Sequence, residues 1–578
     1  MCIRDRSYRL ANTLTYRNSF NKSHNVNVML GQEINHAQND NTFMSAKLFP
    51  VSVTAEAALE NFALGTPNQS TSYKSAPDRT ASFFGRALYD YKNRYYATLT
   101  VRADGSTKFA PGKQWGYFPA GSIAWRISNE KWMKPIKFIS DLKLRASYGL
   151  AGNNRIGNDL WHNIYRVYSG TSAPAFGNEE YNYYQFADQT YLYDPDLKWE
   201  TTITRNIGLD FGFFRNRLSG TVDVYWNTTK DLLVPSIIPN SSGYSRQMTN
   251  VGQTSNKGVE ISLDAKIIQT KDFQLSANFN VAFNKNKVDK LATGETEWKT
   301  KASLSNWYGT YNYKMEVGKS MGLIYGFVND GFYKVDDFDF DATTKKWTLK
   351  PGIPDNSSFS SGNFAFKPGA MKFKKLSDSE SNLITEDDMT VIGDTNPKVT
   401  GGFGLSGNWK NLDFTAFFNY MCDFDVLNVN KLYLHSAVRR NYSNLSTDMN
   451  LANRFRYVDD AGVNVSSDPV ALAALNENAK TYSWMSVTQG ITMIDLVEDG
   501  SFLRLSTLTV GYTLPKHWLR SLGVKSLRLY FSGSNLFTIT GYSGYDPEVN
   551  IQKGLTPGID NNVTPRSRVY TVGVNLNF

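Results

Sequence analysis

The stretch KDFQLSANFNVAFN (271–284) alternates without a break. Phe273, Leu275, Ala277, Phe279, Val281 and Phe283 fall on one face of an extended strand, and Asp272, Gln274, Ser276, Asn278, Asn280, Ala282 and Asn284 on the other. Successive strand side chains point to opposite faces, so one face is apolar and the other wet. The same rhythm returns in RLSGTVDVYWN (217–227) and NLDFTAFFNY (411–420). It closes the chain in RVYTVGVNLNF (568–578), where Tyr570, Val572, Val574, Leu576 and Phe578 oppose Thr571, Gly573, Asn575 and Asn577. Each run is about ten residues, the length that crosses a bilayer when tilted. Helical periodicity of useful length is almost missing. A soluble sandwich gives such strands, and so does a barrel with lipid on one side and water on the other.

The connections separate these two readings. YKNR (91–94), FRNR (214–217), QTKD (269–272) and WKN (409–411) are very short and polar. Between them lie long segments near 38–78, 151–198, 285–398, 425–499 and 537–566, rich in Asn, Ser, Gly, Asp and Tyr. Long and short connections largely alternate, as in outer-membrane barrels with short periplasmic turns and long extracellular loops. The expected fold is therefore all-β, a transmembrane antiparallel β-barrel. Its strands are expected near 7–17, 24–37, 79–91, 94–104, 116–127, 140–150, 200–214, 217–230, 251–267, 272–284, 399–409, 411–424, 502–514, 524–536 and 567–578.

Composition agrees. Aromatics reach 14%, and Tyr and Trp suit the lipid–water boundary. Mean hydropathy is −0.41, and no stretch approaches the ~20 apolar residues of a membrane helix, so a spanning chain must close its backbone hydrogen bonds as a barrel. The net charge of +9 is spread singly, without the basic run that a nucleic-acid site would show. Cys2 and Cys422 form neither a disulfide framework nor a metal pattern.

The candidate motifs are weak. Gly402, Gly404 and Gly407 complete G-x-G-x-x-G, but a turn and another strand follow where a dinucleotide site needs a helix, so they read as small residues on a strand. Asp337, Asp339 and Asp341 are spaced like early calcium-loop ligands, yet Ala342 and Thr348 stand where the loop Gly and final Glu belong, so a solvated acidic loop is expected. His24, His36, His162, His435 and His517 lie far apart without metal-ligand spacing. No nucleophile elbow, phosphate loop or zinc-protease motif occurs, so no enzyme, cofactor, catalytic or metal site is expected. Aromatics in YNYYQF (181–186), NWYGTYNY (306–313) and at Trp161 can stack on sugar rings or simply pack the loops together. They assign no substrate residue.

Several segments resemble the SusC/RagA family of TonB-dependent outer-membrane transporters. They are RADGSTKFAPGKQWGYFPAGSIAWRISNEKWM (102–133), LKLRASYGLAGNN (142–154), NVGQTSNKGVEISL (250–263), IGDTNPKVTGGF (392–403), FLRLSTLTVGYTLP (502–515) and LRLYFSGSNLFTITGYSGYDPEV (527–549). The resemblance implies a plugged barrel of roughly 22 strands in the outer membrane of a Gram-negative bacterium. It implies import of nutrients, oligosaccharides or else peptides, with energy relayed by the TonB–ExbB–ExbD complex and a SusD-like lipoprotein capping the barrel. The rivals are a passive porin-like barrel and a secreted β-rich carbohydrate-binding or adhesin protein. Signal peptide, TonB box and plug are not seen, and about fifteen strands are read, so the chain (1–578) is expected to be the C-terminal part of such a barrel, with residues 1–6 a sequencing or gene-calling artefact. The resemblance also implies that Phe578, as a terminal aromatic, is the signal read by the barrel assembly machinery, with outer-membrane lipid around the barrel.

Overall fold

In a computed structural model, the described residues are all but 1, 164, 169–183, 188–190, 293, 303, 305–310, 360–365, 436–443, 485–489, 520–522 and 549–553. Long strands dominate. They are β1 (Cys2–Phe20), β2 (His24–Lys47), β3 (Asp78–Tyr91), β4 (Tyr95–Ser106), β5 (Trp115–Arg126), β6 (Ile139–Asn153), β7 (Glu200–Phe213), β8 (Leu218–Lys230), β9 (Gln253–Gln269), β10 (Phe273–Lys290), β11 (Val399–Trp409), β12 (Leu412–Cys422), β13 (Phe502–Thr513), β14 (Ser526–Thr540) and β15 (Val569–Asn577). These are the fifteen strands expected from the alternation.

The chain divides into two compact units, Met1–Asn216 with Thr221–Asn256, and Arg217–Gly220 with Lys257–Phe578. In the first, β1 to β8 lie in chain order, each hydrogen-bonded to the next. In the second, β9 to β15 do the same. Such a meander needs tight turns at one end, and the short polar connections provide them. Lys92 and Asn93 both adopt left-handed backbone, at φ 54° and 52°. Asp90 caps that turn by accepting from the Asn93 N–H at 2.7 Å. Asn is one of the few side chains that tolerates this conformation well.

The face assignment holds in both units. On one face, Leu10, Leu30, Leu99, Ile123 and Leu144 of the first unit are exposed, as are Phe279, Phe283, Val510 and Leu529 of the second. Phe279 lies opposite Phe403, which lies opposite Phe418; the last two rings stack at 4.7 Å. A β-bulge between Leu505 and Thr507 interrupts the pairing of β13 with β14, which lets Leu503 and Leu505 share the apolar face with Leu508, Val510 and Tyr512.

The loops differ from expectation. Asp40–Lys47 extends β2 past its expected end, and a further strand, Thr66–Lys74, folds back onto it. More notably, the long segments are not simply wet. In the second unit, the connections 291–398, 423–501 and 541–568 share a hydrophobic core that includes Tyr313, Phe327, Phe373, Leu427, Met493 and Ile559. Backbone pairing ties them together: Asp425–Asn428 bonds to Val497–Asp499 on one side and to Ile559–Asp560 on the other. In the first unit a smaller core gathers Phe109, Ile156, Leu160 and Leu197, with Trp199 packed against it. Asn- and Ser-rich loop composition hid this because the apolar residues are scattered without period.

Candidate functional site: the polar wall and the loop anchors

The polar face of the first unit is a lattice of cross-strand ion pairs. Arg145 of β6 reaches Asp210 of β7 at 2.8 Å and Asp223 of β8 at 3.1 Å. Lys143 joins Asp210 at 3.5 Å, and Arg126 of β5 meets Asp141 of β6 at 3.1 Å. Within β4, Arg102 holds Asp104 at 2.8 Å, and it reaches across to Ser82 of β3 at 3.0 Å. Gly208 makes room for the centre of this lattice: a Cβ there would stand 2.5 Å from Asp223 Oδ1 and 2.7 Å from Arg145 Nη2. The second unit repeats the device. Arg528 of β14 crosses β13 to reach Asp413 of β12 at 2.5 Å, passing over Gly511, where a Cβ would meet the guanidinium. Opposite charges in neighbouring strands fix register and keep this face hydrated.

One ion pair differs in being buried. Arg504 of β13 is 2% exposed. Its guanidinium donates to Thr538 Oγ1 at 3.0 Å, to Glu548 at 2.9 Å and to Asp546 at 2.5 Å. Arg566 in turn donates to Glu548 at 2.6 Å, and its backbone N–H to Asp546 at 3.3 Å. Both ends of the connection 541–568 thus meet at the two carboxylates that Arg504 holds. The anchored loop carries Tyr545 immediately before Asp546, 86% exposed.

The other loops are fastened in the same way. Asn250 Oδ1 accepts from the Lys198 N–H at 2.8 Å, and its amide donates to the Lys198 and Asp231 carbonyls at 2.8 and 2.9 Å. Trp199 Nε1 donates to the Gln114 carbonyl at 2.8 Å. Asp425 accepts from the Asp394 N–H at 2.7 Å, and burial raises its carboxyl above the usual range. The Lys367 ammonium lies 4.0 Å from the centre of the Tyr457 ring, and burial holds its pKa below the lysine norm.

The candidate residues fall as follows. Gly402, Gly404 and Gly407 lie on β11, where Phe417 and Phe414 of β12 pack over them. Asp337 accepts from the Lys334 N–H, Asp341 closes a hairpin turn through Thr343 and Thr344, and Asp339 faces Lys350; the three carboxylates serve separate local tasks. Among the described residues no three His, Cys, Asp or Glu side chains converge as a metal site. His435 is buried between Tyr482 (2.9 Å) and Asp448 (2.7 Å), and burial lowers its pKa. Tyr313 is fully buried and its hydroxyl donates to the Pro557 carbonyl at 2.6 Å, so it packs loops together. Residues 181–183 and 306–310 lie outside the described residues, as do the side chains of 184–186. Trp161 contacts the His162 ring edge-on at 4.5 Å. Phe578 follows the end of β15 and is 73% exposed. Sequence reading did not single out Arg504, Asp546, Glu548 or Asn250. All four lie inside the segments quoted for the family resemblance; paired charges in two separate segments were the available signal.

Antiparallel meanders in both units, apolar on one face and charge-paired on the other, with short turns at one end and anchored loops at the other, define an outer-membrane β-barrel. The profile of the family described as "TonB dependent receptor-like, beta-barrel" matches residues 4–536, and the chain belongs to that family. TonB-dependent receptor P3 of Formosa agariphila is 32% identical over 98% of this chain and 52% of its own length. TonB-dependent receptor SusC of Bacteroides thetaiotaomicron is 31% identical over 86% of this chain and 43% of its own. Among solved structures, the RagAB peptide transporter matches with a TM-score of 0.73 and 26% identity, over 100% of this chain and 56% of that one. The chain thus spans about half the length of the relatives it matches. Its apolar face meets outer-membrane lipid and its polar face the barrel lumen, which sets aside a secreted adhesin.

Proposed function

We propose that the whole protein imports oligosaccharide fragments across the outer membrane, driven through TonB–ExbB–ExbD, with a SusD-like lipoprotein over its loops. In this reading the present chain supplies the C-terminal part of the barrel, and the TonB contact and plug come from the remainder. The observation that carries the proposal is the Arg504 anchor. It fixes a loop rooted on the lumen-facing wall and holds an exposed aromatic, Tyr545, beside it. An exposed ring next to an anchored backbone position offers a stacking face for a pyranose.

Peptide cargo is the second reading, favoured by the likeness to RagAB, which is a peptide transporter. Both are tested by uptake of labelled oligosaccharide and peptide pools into cells with and without TonB. Accumulation independent of TonB would mean a passive pore. Uptake of peptides alone would select the second reading. Co-purification of a lipoprotein encoded beside the gene tests the cap.

A further inference from the structure

The lipid-facing side of the first unit is not an even surface. A groove of about 630 Å³ runs across β3 to β8. Its floor is made of small residues, Ala87, Ala97, Gly121 and Ala146, one from each of four consecutive strands. Its walls are large and exposed, with Leu99 at 58% and Ile123 at 66%. The floor continues as a second depression of about 460 Å³ that shares Tyr89, Ala97, Ile123 and Ala146 and ends at Tyr95 and Trp125. Tyr95 adjoins the short turn 92–94, and its ring stacks with that of Trp125 at 6.5 Å.

At the other end stands Arg205. It is the only charged residue lining the upper groove. The alternation of β7 places it on the apolar face with Ile203, Ile207, Leu209 and Phe211. Its guanidinium lies over the Tyr148 ring at 5.9 Å and donates to Thr228 Oγ1 at 3.3 Å. The arginines of the lumen wall, Arg102, Arg126 and Arg145, each have a carboxylate; among the described residues none pairs with Arg205. Guanidinium has five N–H donors in a fixed fork suited to phosphate.

A cation on the lipid face is destabilising near mid-bilayer and tolerated only near the headgroups. Arg205 is eight residues from the periplasmic end of β7. At ~3.4 Å per residue and a tilt of ~40° that is about 20 Å along the membrane normal, high in an apolar band ~25 Å tall. An unpaired guanidinium near the top of the apolar band, within reach of the headgroups and above an apolar groove that descends to an aromatic belt, complements an anionic headgroup with an acyl chain below it.

We propose that this groove is a binding site for a phosphate-bearing lipid of the outer leaflet, with the phosphate on Arg205 and one acyl chain along Ala87, Ala97, Gly121 and Ala146. The inference does not depend on the cargo. Gly121 gives a clean test, because a Cβ there meets only the Thr98 carbonyl at 3.6 Å, an ordinary contact, so a larger side chain projects into the groove without disturbing the sheet.

The experiment is native mass spectrometry of the full-length protein, stripped of lipid in detergent and titrated with dioleoyl phosphatidic acid or dioleoyl phosphatidylcholine. The wild type should retain one phosphatidic acid about 10-fold more strongly than phosphatidylcholine. Arg205→Gln should bring the two lipids within about 2-fold, and Arg205→Lys should keep part of the preference. Gly121→Leu should weaken retention of both. Heat-modifiable migration reports folding, and Ala146→Leu replaces Gly121→Leu if the latter does not fold. An undiminished preference in Arg205→Gln, or unchanged retention in a folded groove-filled variant, overturns the proposal.

Discussion

Arg504 and Asp546, 42 residues apart in sequence, meet at 2.5 Å with almost no exposure to water. Removing one partner of a buried pair costs about 3–5 kcal/mol where the remaining charge is left unpaired, and less here because Glu548 still faces Arg504 at 2.9 Å. Asp546→Ala should therefore free the connection 541–568 while β13 and β14, paired through their own backbone, remain. Limited proteolysis of the full-length protein in outer-membrane vesicles should cut this loop at least ~10-fold faster than in the wild type, with heat-modifiable migration kept. Equal cleavage rates would show that the Arg504–Glu548 pair holds the loop unaided.

The face assignment is tested at neighbouring residues. Phe279 points to lipid in the Phe279, Phe403, Phe418 row, whereas Asn278 covers Gly404 on the polar face. A cation at mid-bilayer costs about 2–4 kcal/mol on a barrel. Phe279→Arg should lower insertion of the full-length protein into the outer membrane, and Asn278→Arg should be far milder. The fraction of heat-modifiable protein in membranes measures both, and equal loss at the two positions would reverse the faces.

Acid should loosen the loop body at Asp388. This carboxylate is fully buried, which raises its pKa, but the Ser377, Thr385 and Leu376 N–H groups and the Ser377 hydroxyl outweigh burial and pull it down to about 2 from the ordinary 3.8. Lys375 adds an ion pair at 3.1 Å. A lowered folded-state pKa contributes stability that is complete above the unfolded value and is lost as pH falls through the folded one. The contribution is about 2 kcal/mol. Proteolysis of the segment 371–394 by an acid-active protease should accelerate between about pH 4 and about pH 2. In Asp388→Asn the loop should already be weakened at neutral pH, and the acid-dependent rise should shrink. A wild-type rise of the same size in Asp388→Asn would assign the transition to other carboxylates.

The strands were legible because the membrane imposes a single rule on each of them. Lipid outside and water inside force strict alternation, and all fifteen runs stood out. The ends were less legible. β2 runs on to Lys47 and β14 to Thr540, beyond the expected 37 and 536, because a strand that leaves the bilayer no longer needs an apolar face. The loop core was illegible for the opposite reason. Tyr313, Phe373, Leu427 and Met493 come from separate loops, and only the fold brings them together. The anchors were half visible: the quoted segments were distinctive as strings, but their meaning is a pair, such as Arg504 in one and Asp546 in another.

β15 pairs with β14 in register from Ser526↔Asn577 to Ser534↔Val569, so Val572, Val574 and Leu576 line up with Phe531, Leu529 and Leu527 on the apolar face. Phe578 continues that face one step beyond the last paired residue and is exposed. Removing it forfeits little packing, so any large effect must come from recognition rather than stability. Phe403→Ala is the opposite case: it removes a ring stacked on Phe418 within the sheet and leaves Phe578 in place. In the full-length protein, deletion of Phe578 should cut outer-membrane yield several-fold and more than Phe403→Ala does, while the protein that does insert should have unchanged thermal stability. Phe403→Ala should show the reverse, near-normal yield with a lowered melting temperature. If the deletion instead lowers melting temperature and leaves yield alone, Phe578 is ordinary packing and the assembly signal lies elsewhere.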